Sequence, residues 1–98
     1  MNIQAMMKQA QKLQKDMMNE KEKIDKKEYT YQTNSIEIKA MGTKEIKEIK
    51  IKMEIIEKED IEMLQDMIVV GVNNILHQID EDTEANLGKY TKGMPGLF

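Results

Sequence analysis

Apolar residues recur along this chain at two different periods, and the points where the period changes divide it into segments. Ile3, Met6, Ala10, Leu13 and Met17 follow one another at steps of three and four, and Ile24 continues the row one heptad on. That spacing describes one face of a helix, which Met7 and Met18 widen. No Gly, Pro or aromatic residue interrupts the stretch, and β-branched residues fall only at its ends, so a helix is expected over about 3–26. From Glu28 the pattern changes to that of strands. Tyr29-Thr30-Tyr31-Gln32-Thr33 is rich in strand formers, and Asn34-Ser35 is turn-like. Ile36, Ile38 and Ala40 alternate with Glu37, Lys39 and Met41. After Gly42-Thr43, Ile46, Ile49, Ile51 and Met53 form a second alternating run, with one extra residue between Ile46 and Ile49 that predicts a turn ending at Ile46 or a bulge. Strands over about 28–53 should form a three-stranded antiparallel meander whose apolar face needs a cover.

The cover is a second helix over about 60–87. Asp60 is a candidate cap, and Glu62 suits the first turn. Ile61, Leu64, Ile68, Val72, Ile75 and Ile79 form its core stripe, which Leu76 widens. Lys92 onward reads as extended, with helix fraying expected near Gly88. The expected fold is therefore α+β, an α-β-β-β-α protomer in one domain over 1–92 with a tail at 93–98. Between Met67 and Val72 the second helix is apolar all round, more than one sheet face can enclose. A homodimer is expected, with Met67, Ile68, Val70, Gly71, Val72 and Ile75 at its interface. Gly71 costs about 1 kcal/mol relative to Ala within a helix, and a close backbone approach there would offset that.

Charge adds a second stripe to the first helix. Lys8, Lys12, Lys15, Lys23 and Lys26 recur on the side opposite the apolar face. The net charge of −3 conceals a segregation: residues 1–27 hold seven lysines against four acids, and the remainder holds eight against fourteen. A segregated basic row can track phosphates along a duplex while reading little base identity. Gln11, on the flank of the row, can add hydrogen bonds. The helix has no aromatic side chain, which argues against single-strand stacking. The candidate DNA-binding set is Lys8, Gln11, Lys12, Lys15, Lys23 and Lys26.

Other chemistry finds little support. With no cysteine, disulfides and thiolate metal sites are excluded. His77 is the only histidine and lacks nucleophilic partners; Glu81, one turn on, could pair with it. Asp80, Asp82 and Glu84 mimic the start of a calcium loop, but Ala85 stands at its glycine position and Thr91 at its closing glutamate position. Gly93-Met94-Pro95-Gly96 lacks the Lys-Ser/Thr of a phosphate loop. No catalytic residue, metal, cofactor or small-molecule substrate is expected. No run approaches a membrane span and no signal peptide is evident, so a soluble cytoplasmic protein is expected.

Four stretches carry a resemblance over nearly the full length. Met7-Lys8-Gln9-Ala10-Gln11-Lys12-Leu13-Gln14 resembles the opening helix of the YbaB/EbfC nucleoid-associated protein family, and Ile46, Ile49 and Ile51 its third strand. Leu64-Gln65-Asp66-Met67-Ile68-Val69-Val70-Gly71-Val72-Asn73-Asn74 resembles the second-helix signature, and Gly93-Met94-Pro95-Gly96-Leu97-Phe98 the closing tail. Gly71 departs from a usual Ala, Lys52-Met53 replaces a common Asp-Pro, the loop at Thr33-Asn34-Ser35 is short, and the end of the second helix is acidic. The resemblance implies a tight dimer that binds double-stranded DNA in the nucleoid, in an architectural or regulatory role. It also implies a recombination or replication protein as a candidate partner, which the Met face of the first helix could engage.

Overall fold

A computed structural model of the chain describes residues 2–93, with side chains through Tyr90. Five elements follow in the expected order: α1 (Ile3–Lys26), β1 (Glu28–Gln32), β2 (Ile36–Met41), β3 (Ile46–Ile51) and α2 (Asp60–Gly93). The strands form an antiparallel sheet in the order β1-β2-β3. The remaining tail residues, 94–98, lie outside the described part.

Strand β2 is the centre of the core. Its alternation places Ile36, Ile38 and Ala40 on one face, all fully buried, and Glu37, Lys39 and Met41 on the other. The turn before it is set by the Thr33 hydroxyl, which accepts from the backbone N–H groups of Ser35 and Ile36 at 3.1 and 3.2 Å. The extra residue in β3 is absorbed as a bulge: Lys39 pairs with Glu48 and Ala40 with Ile46. The strand ends at Ile51 instead of running to Met53, although the Lys52 N–H still donates to the Ser35 carbonyl at 2.8 Å.

Among the described residues, helix α2 covers β1 and β2, and its backbone does not come close to β3. Leu64, Ile75 and Ile79 are buried against Tyr29 and the β2 isoleucines, with Tyr31, Met53, Met67, Ile68 and Val72 packed around them. Ile61, expected in this stripe, is exposed. Because Ile46, Ile49 and Ile51 pair with Ala40, Ile38 and Ile36, they share the core side of the sheet, yet the α2 backbone does not come close to them. They remain 37–44% exposed.

Gly71 is where α2 approaches the sheet. A Cβ there would stand 2.6 Å from Ile38 Cδ1 and 2.8 Å from Tyr31 Cδ2. The close backbone contact expected of Gly71 is thus met within the protomer. At its start, Asp60 does not cap forward: its Oδ2 accepts from the Glu57 N–H at 2.9 Å, and its own N–H donates to the Glu57 carbonyl at 3.0 Å. Asp60 thus plays the back-reaching part of a capping box around a preceding turn.

At its far end α2 continues through Gly88 to Gly93, six residues beyond the expected boundary. The reason is tertiary. Leu87 is buried with Met17 and Ile24 of α1, and Tyr90 packs beside them, so the last turns are held by contacts that their own sequence does not reveal.

Candidate nucleic-acid interface

Helix α1 divides into two halves with different surroundings. Its second half is anchored through Met17 and Ile24. Its first half, up to Lys15, is exposed at every position and projects from the body as an arm of about 20 Å, at 1.5 Å per residue. The Asn2 side chain caps the arm, its Oδ1 accepting from the Gln4 N–H at 3.0 Å. The molecule is correspondingly long, 71 × 19 × 15 Å.

The five lysines of the row divide in the same way. Lys23 pairs with Glu20 at 3.3 Å, and Lys26 with Glu22 at 2.7 Å. The Glu22 carboxylate, by hydrogen bond and then by charge, holds the Lys26 ammonium above its ordinary value. Lys8, Lys12 and Lys15 have no ion-pair partner among the described residues, and Asp16 is the only acid near them in the chain. They stand on one face at steps of four and three, spanning about 10 Å along the axis. Gln11 is also exposed, on the flank of that face. The arm therefore presents three uncompensated cations on a rigid rod, whereas the anchored half presents cations already shared with carboxylates. The pairing was legible in the spacings 20/23 and 22/26.

The acidic end of α2 is largely engaged in the fold. Asp82 Oδ2 accepts from the Tyr29 hydroxyl at 2.6 Å and from Lys27 Nζ at 2.7 Å, while Lys27 lies 5.0 Å from the Tyr29 ring centroid. The Lys27 and Tyr29 hydrogen bonds hold the Asp82 carboxyl below its usual range. Burial, and then the Asp82 bond, push the Tyr29 hydroxyl well above its own. Asp80 pairs with Lys44 at 3.2 Å. Lys44 sits in the tight β2–β3 turn at φ 75°, a left-handed conformation that costs a non-glycine residue about 1 kcal/mol. Together these contacts set the direction of the arm: the Lys27 corner is fixed to α2, and Gly42 is pressed against the last turn of α1. Lys27 and Gly42 were absent from the expected site because both act through partners distant in sequence. His77 is exposed, and no hydrogen bond or ion pair joins it to Glu81 among the described residues.

The residues expected at a dimer interface occupy different places. Ile75 has no exposed surface and Gly71 faces its own sheet, so neither has area to offer a partner. Ile68 and Val72 are half-buried on the core. Val70 is 56% exposed, and with Met63, Met67 and Tyr31 it lines a shallow recess rimmed by Glu59, Glu62 and Asp66.

No helix among the described residues is long and apolar enough to cross a membrane. The chain is 43% identical over 98 residues to a nucleoid-associated protein of Enterococcus faecalis, covering 98% of this chain and 94% of that protein. It is 47% identical over 96 residues to one of Lactobacillus acidophilus, covering 96% and 86%, and 43% identical over 97 residues to one of Lactococcus lactis, covering 97% and 98%. The profile of the YbaB/EbfC DNA-binding family matches residues 1–94. With its α-β-β-β-α order and the named relatives in agreement, the chain belongs to the YbaB/EbfC DNA-binding family.

Proposed function

We propose that this protein binds double-stranded DNA with low sequence preference, in the cytoplasm at the nucleoid, and that the arm of α1 makes the contact. The observation that carries the reading is that Lys8, Lys12 and Lys15 have no carboxylate partner among the described residues, on a helix that projects from the body. Phosphates contacted by such a row release counterions, and point charges on flexible stems supply few directional bonds to base edges. Lys23, Lys26 and Gln11 contribute less, the two lysines because Glu20 and Glu22 compete for them.

The active unit in this reading is a homodimer. The core side of β3 leaves Ile46, Ile49 and Ile51 uncovered, and Val69 and Val70 are 59% and 56% exposed on α2. A second copy covers such surfaces by self-association, which a small domain often needs for stability. Two arms then present six lysines, and log K should fall against log salt with a slope of roughly −5. Fluorescence anisotropy of a labelled duplex across a salt series tests this. Lys12→Glu with Lys15→Glu should weaken binding about equally on unrelated duplexes and flatten the slope. Unchanged binding with intact circular dichroism would remove the arm from the DNA site.

The exposure of Met7 and Met18, 57% and 60%, favours a second reading in which α1 engages a recombination or replication protein. Met7→Lys with Met18→Lys would abolish that contact and leave duplex binding intact. Loss of duplex binding in that variant would count against it.

A further inference from the structure

The start of α2 carries three carboxylates that no cation answers. Glu59, in the turn before the helix, and Glu62 and Asp66 within it are exposed. None of them has an ion-pair partner among the described residues. They rim the shallow recess whose lining includes Tyr31, Met63 and Met67, and Met63 is 44% exposed. An apolar floor beside unpaired acids suits an occupant that is both apolar and basic.

The arm of α1 has that chemistry in a matching order. Lys8, Lys12 and Lys15 step by four and then three, whereas Glu59, Glu62 and Asp66 step by three and then four. Laid antiparallel, the two segments bring Lys15, Lys12 and Lys8 opposite Glu59, Glu62 and Asp66, each set spanning about 10 Å. The same register sets Gln11 against Met63 and the exposed Met7 against Met67, on the edge beside the lysines. Methionine side chains are unbranched and adapt to such a contact.

Within one chain the two surfaces stand apart. Lys27 pairs with Asp82, and Met17 lies in the cluster of Leu87 and Tyr90, so α1 runs antiparallel to the last part of α2. Beyond Met17 the arm therefore extends away from Asp66, which lies about 30 Å along α2 from Leu87. We propose that the recess receives the arm of a second copy, head to tail. Each copy offers one arm and one recess, so the contact is heterologous and can extend beyond two copies. It uses none of the β3 isoleucines that the proposed dimer covers. On the duplex reading above, lysines held in a neighbour's recess are withdrawn from phosphates.

Exposed ion pairs are individually weak and are screened by salt, so the contact should form at high protein concentration and low salt. Sedimentation at about 100 μM protein should give a wild-type mass about twofold higher at about 20 mM salt than at about 300 mM. Lys8→Glu with Lys12→Glu should hold the mass at its high-salt value, and so should Glu62→Lys with Asp66→Lys. Combining all four reversals should restore the larger species. A wild-type mass independent of salt, or no recovery in the fourfold variant, would overturn the proposal. No DNA is present in this measurement, so that failure would leave the duplex reading standing. Because the chain contains no cysteine, mixtures of single-cysteine chains locate the contact. Gln11→Cys mixed with Met63→Cys should form a disulfide between chains about tenfold faster than Ala10→Cys mixed with Met63→Cys, since position 10 is turned away on the arm. Equal rates would likewise overturn it.

Discussion

The hydroxyl of Tyr29 donates to Asp82 at 2.6 Å, and the same carboxylate oxygen receives the Lys27 ammonium at 2.7 Å. One oxygen thus ties the α1–β1 corner to α2 across more than fifty positions of sequence. The arrangement has a defined pH signature. Asp82 has a folded-state pKa depressed below its ordinary 3.8. Its contribution is therefore fully present above that value and is lost as pH falls through the folded-state value. Tyr29 is shifted the opposite way, so its contribution is present below about pH 10 and is lost only as pH rises through a still higher value. Both contributions are complete at neutral pH. Asp82→Asn should cost about 1 kcal/mol at pH 7, a charged hydrogen bond discounted for solvent screening, and should remove part of the acid-side loss of stability. Denaturant titrations between pH 2 and 7 check the first effect. Ultraviolet titration of Tyr29, with Tyr29→Phe to identify its signal, should show its midpoint fall in the variant.

Gly42 meets the last turn of α1 backbone to backbone. An ideal Cβ at this position would stand 1.7 Å from the Ile24 carbonyl oxygen and 2.5 Å from its carbon. That carbonyl also accepts the Lys27 N–H at 3.1 Å, and the Gly42 N–H donates to the Lys27 carbonyl at 3.0 Å. The two nearest atoms are backbone and cannot yield as a flexible side chain can; Ile24 Cγ2, at 3.0 Å, is the side-chain atom of the contact. Gly42→Ala should therefore cost about 3 kcal/mol or more, at the upper end for overpacking, measured as a fall in the denaturation midpoint. A change below about 0.5 kcal/mol, the range of an unremarkable surface substitution, would show that the hairpin can back away from α1.

Gly71 presents a balance of opposing terms. Alanine gains about 1 kcal/mol of helix propensity there, but its Cβ would meet Ile38 Cδ1 and the edge of the Tyr31 ring at 2.6–2.8 Å. Those atoms are the outer parts of side chains and can shift, so Gly71→Ala should fall within about 1 kcal/mol of neutral. Gly71→Leu has no such escape and should cost about 1–3 kcal/mol or more. Thermal denaturation of the two variants separates the terms.

These positions show what the chain's pattern carries and what it omits. The alternation of Ile36, Ile38 and Ala40 and the bounds of α1 are local periodicities, so they could be read directly, whereas the slip beyond Ile46 left a turn and a bulge open until the pairing with β2 decided for the bulge. The extension of α2 past Gly88, the role of Gly42 and the Lys27–Tyr29–Asp82 contact depend on partners far away in sequence. The reversed part of Asp60 depends on the turn at Glu57, which composition does not indicate. At the candidate site the lysine row was legible, and so was the spacing of Glu20 and Glu22 that divides it. The projection of the arm was not, because a stripe at helical spacing looks the same whether or not anything covers it.

The open side of β3 supplies a test of the proposed dimer. Ile49 is 44% exposed in the protomer while lying on the core side of the sheet. Ile49→Lys should therefore leave the protomer folded but disfavour any partner packed on that face, since it places an unpaired charge in an apolar contact. Sedimentation at low micromolar concentration should give twice the 11.4 kDa chain mass for the wild type and a shift toward that single mass for the variant. A wild type that sediments as a monomer would remove the dimer from the reading.

The division of the lysine row leads to the most discriminating comparison. Lys8→Ala with Lys12→Ala removes two cations that have no carboxylate partner among the described residues, whereas Lys23→Ala with Lys26→Ala removes two that Glu20 and Glu22 already share. Both pairs delete the same formal charge from the same helix, so any difference reflects local compensation and position. In a dimer the first pair should remove about four phosphate contacts and bring the salt slope from roughly −5 to about −2. The second pair should change the slope by less than about 1, and its loss of affinity should fade as salt screens the longer-range field. Releasing Glu20 and Glu22 from their partners leaves two uncompensated acids, so the second pair still weakens binding at low salt through repulsion. The salt dependence, not the affinity at one condition, therefore distinguishes the two variants. Anisotropy on one duplex from about 20 to 200 mM salt resolves them, a range over which phosphate contacts of this number change affinity by orders of magnitude. Equal slopes for the two variants would mean that the anchored half of α1 reaches the duplex as fully as the arm does.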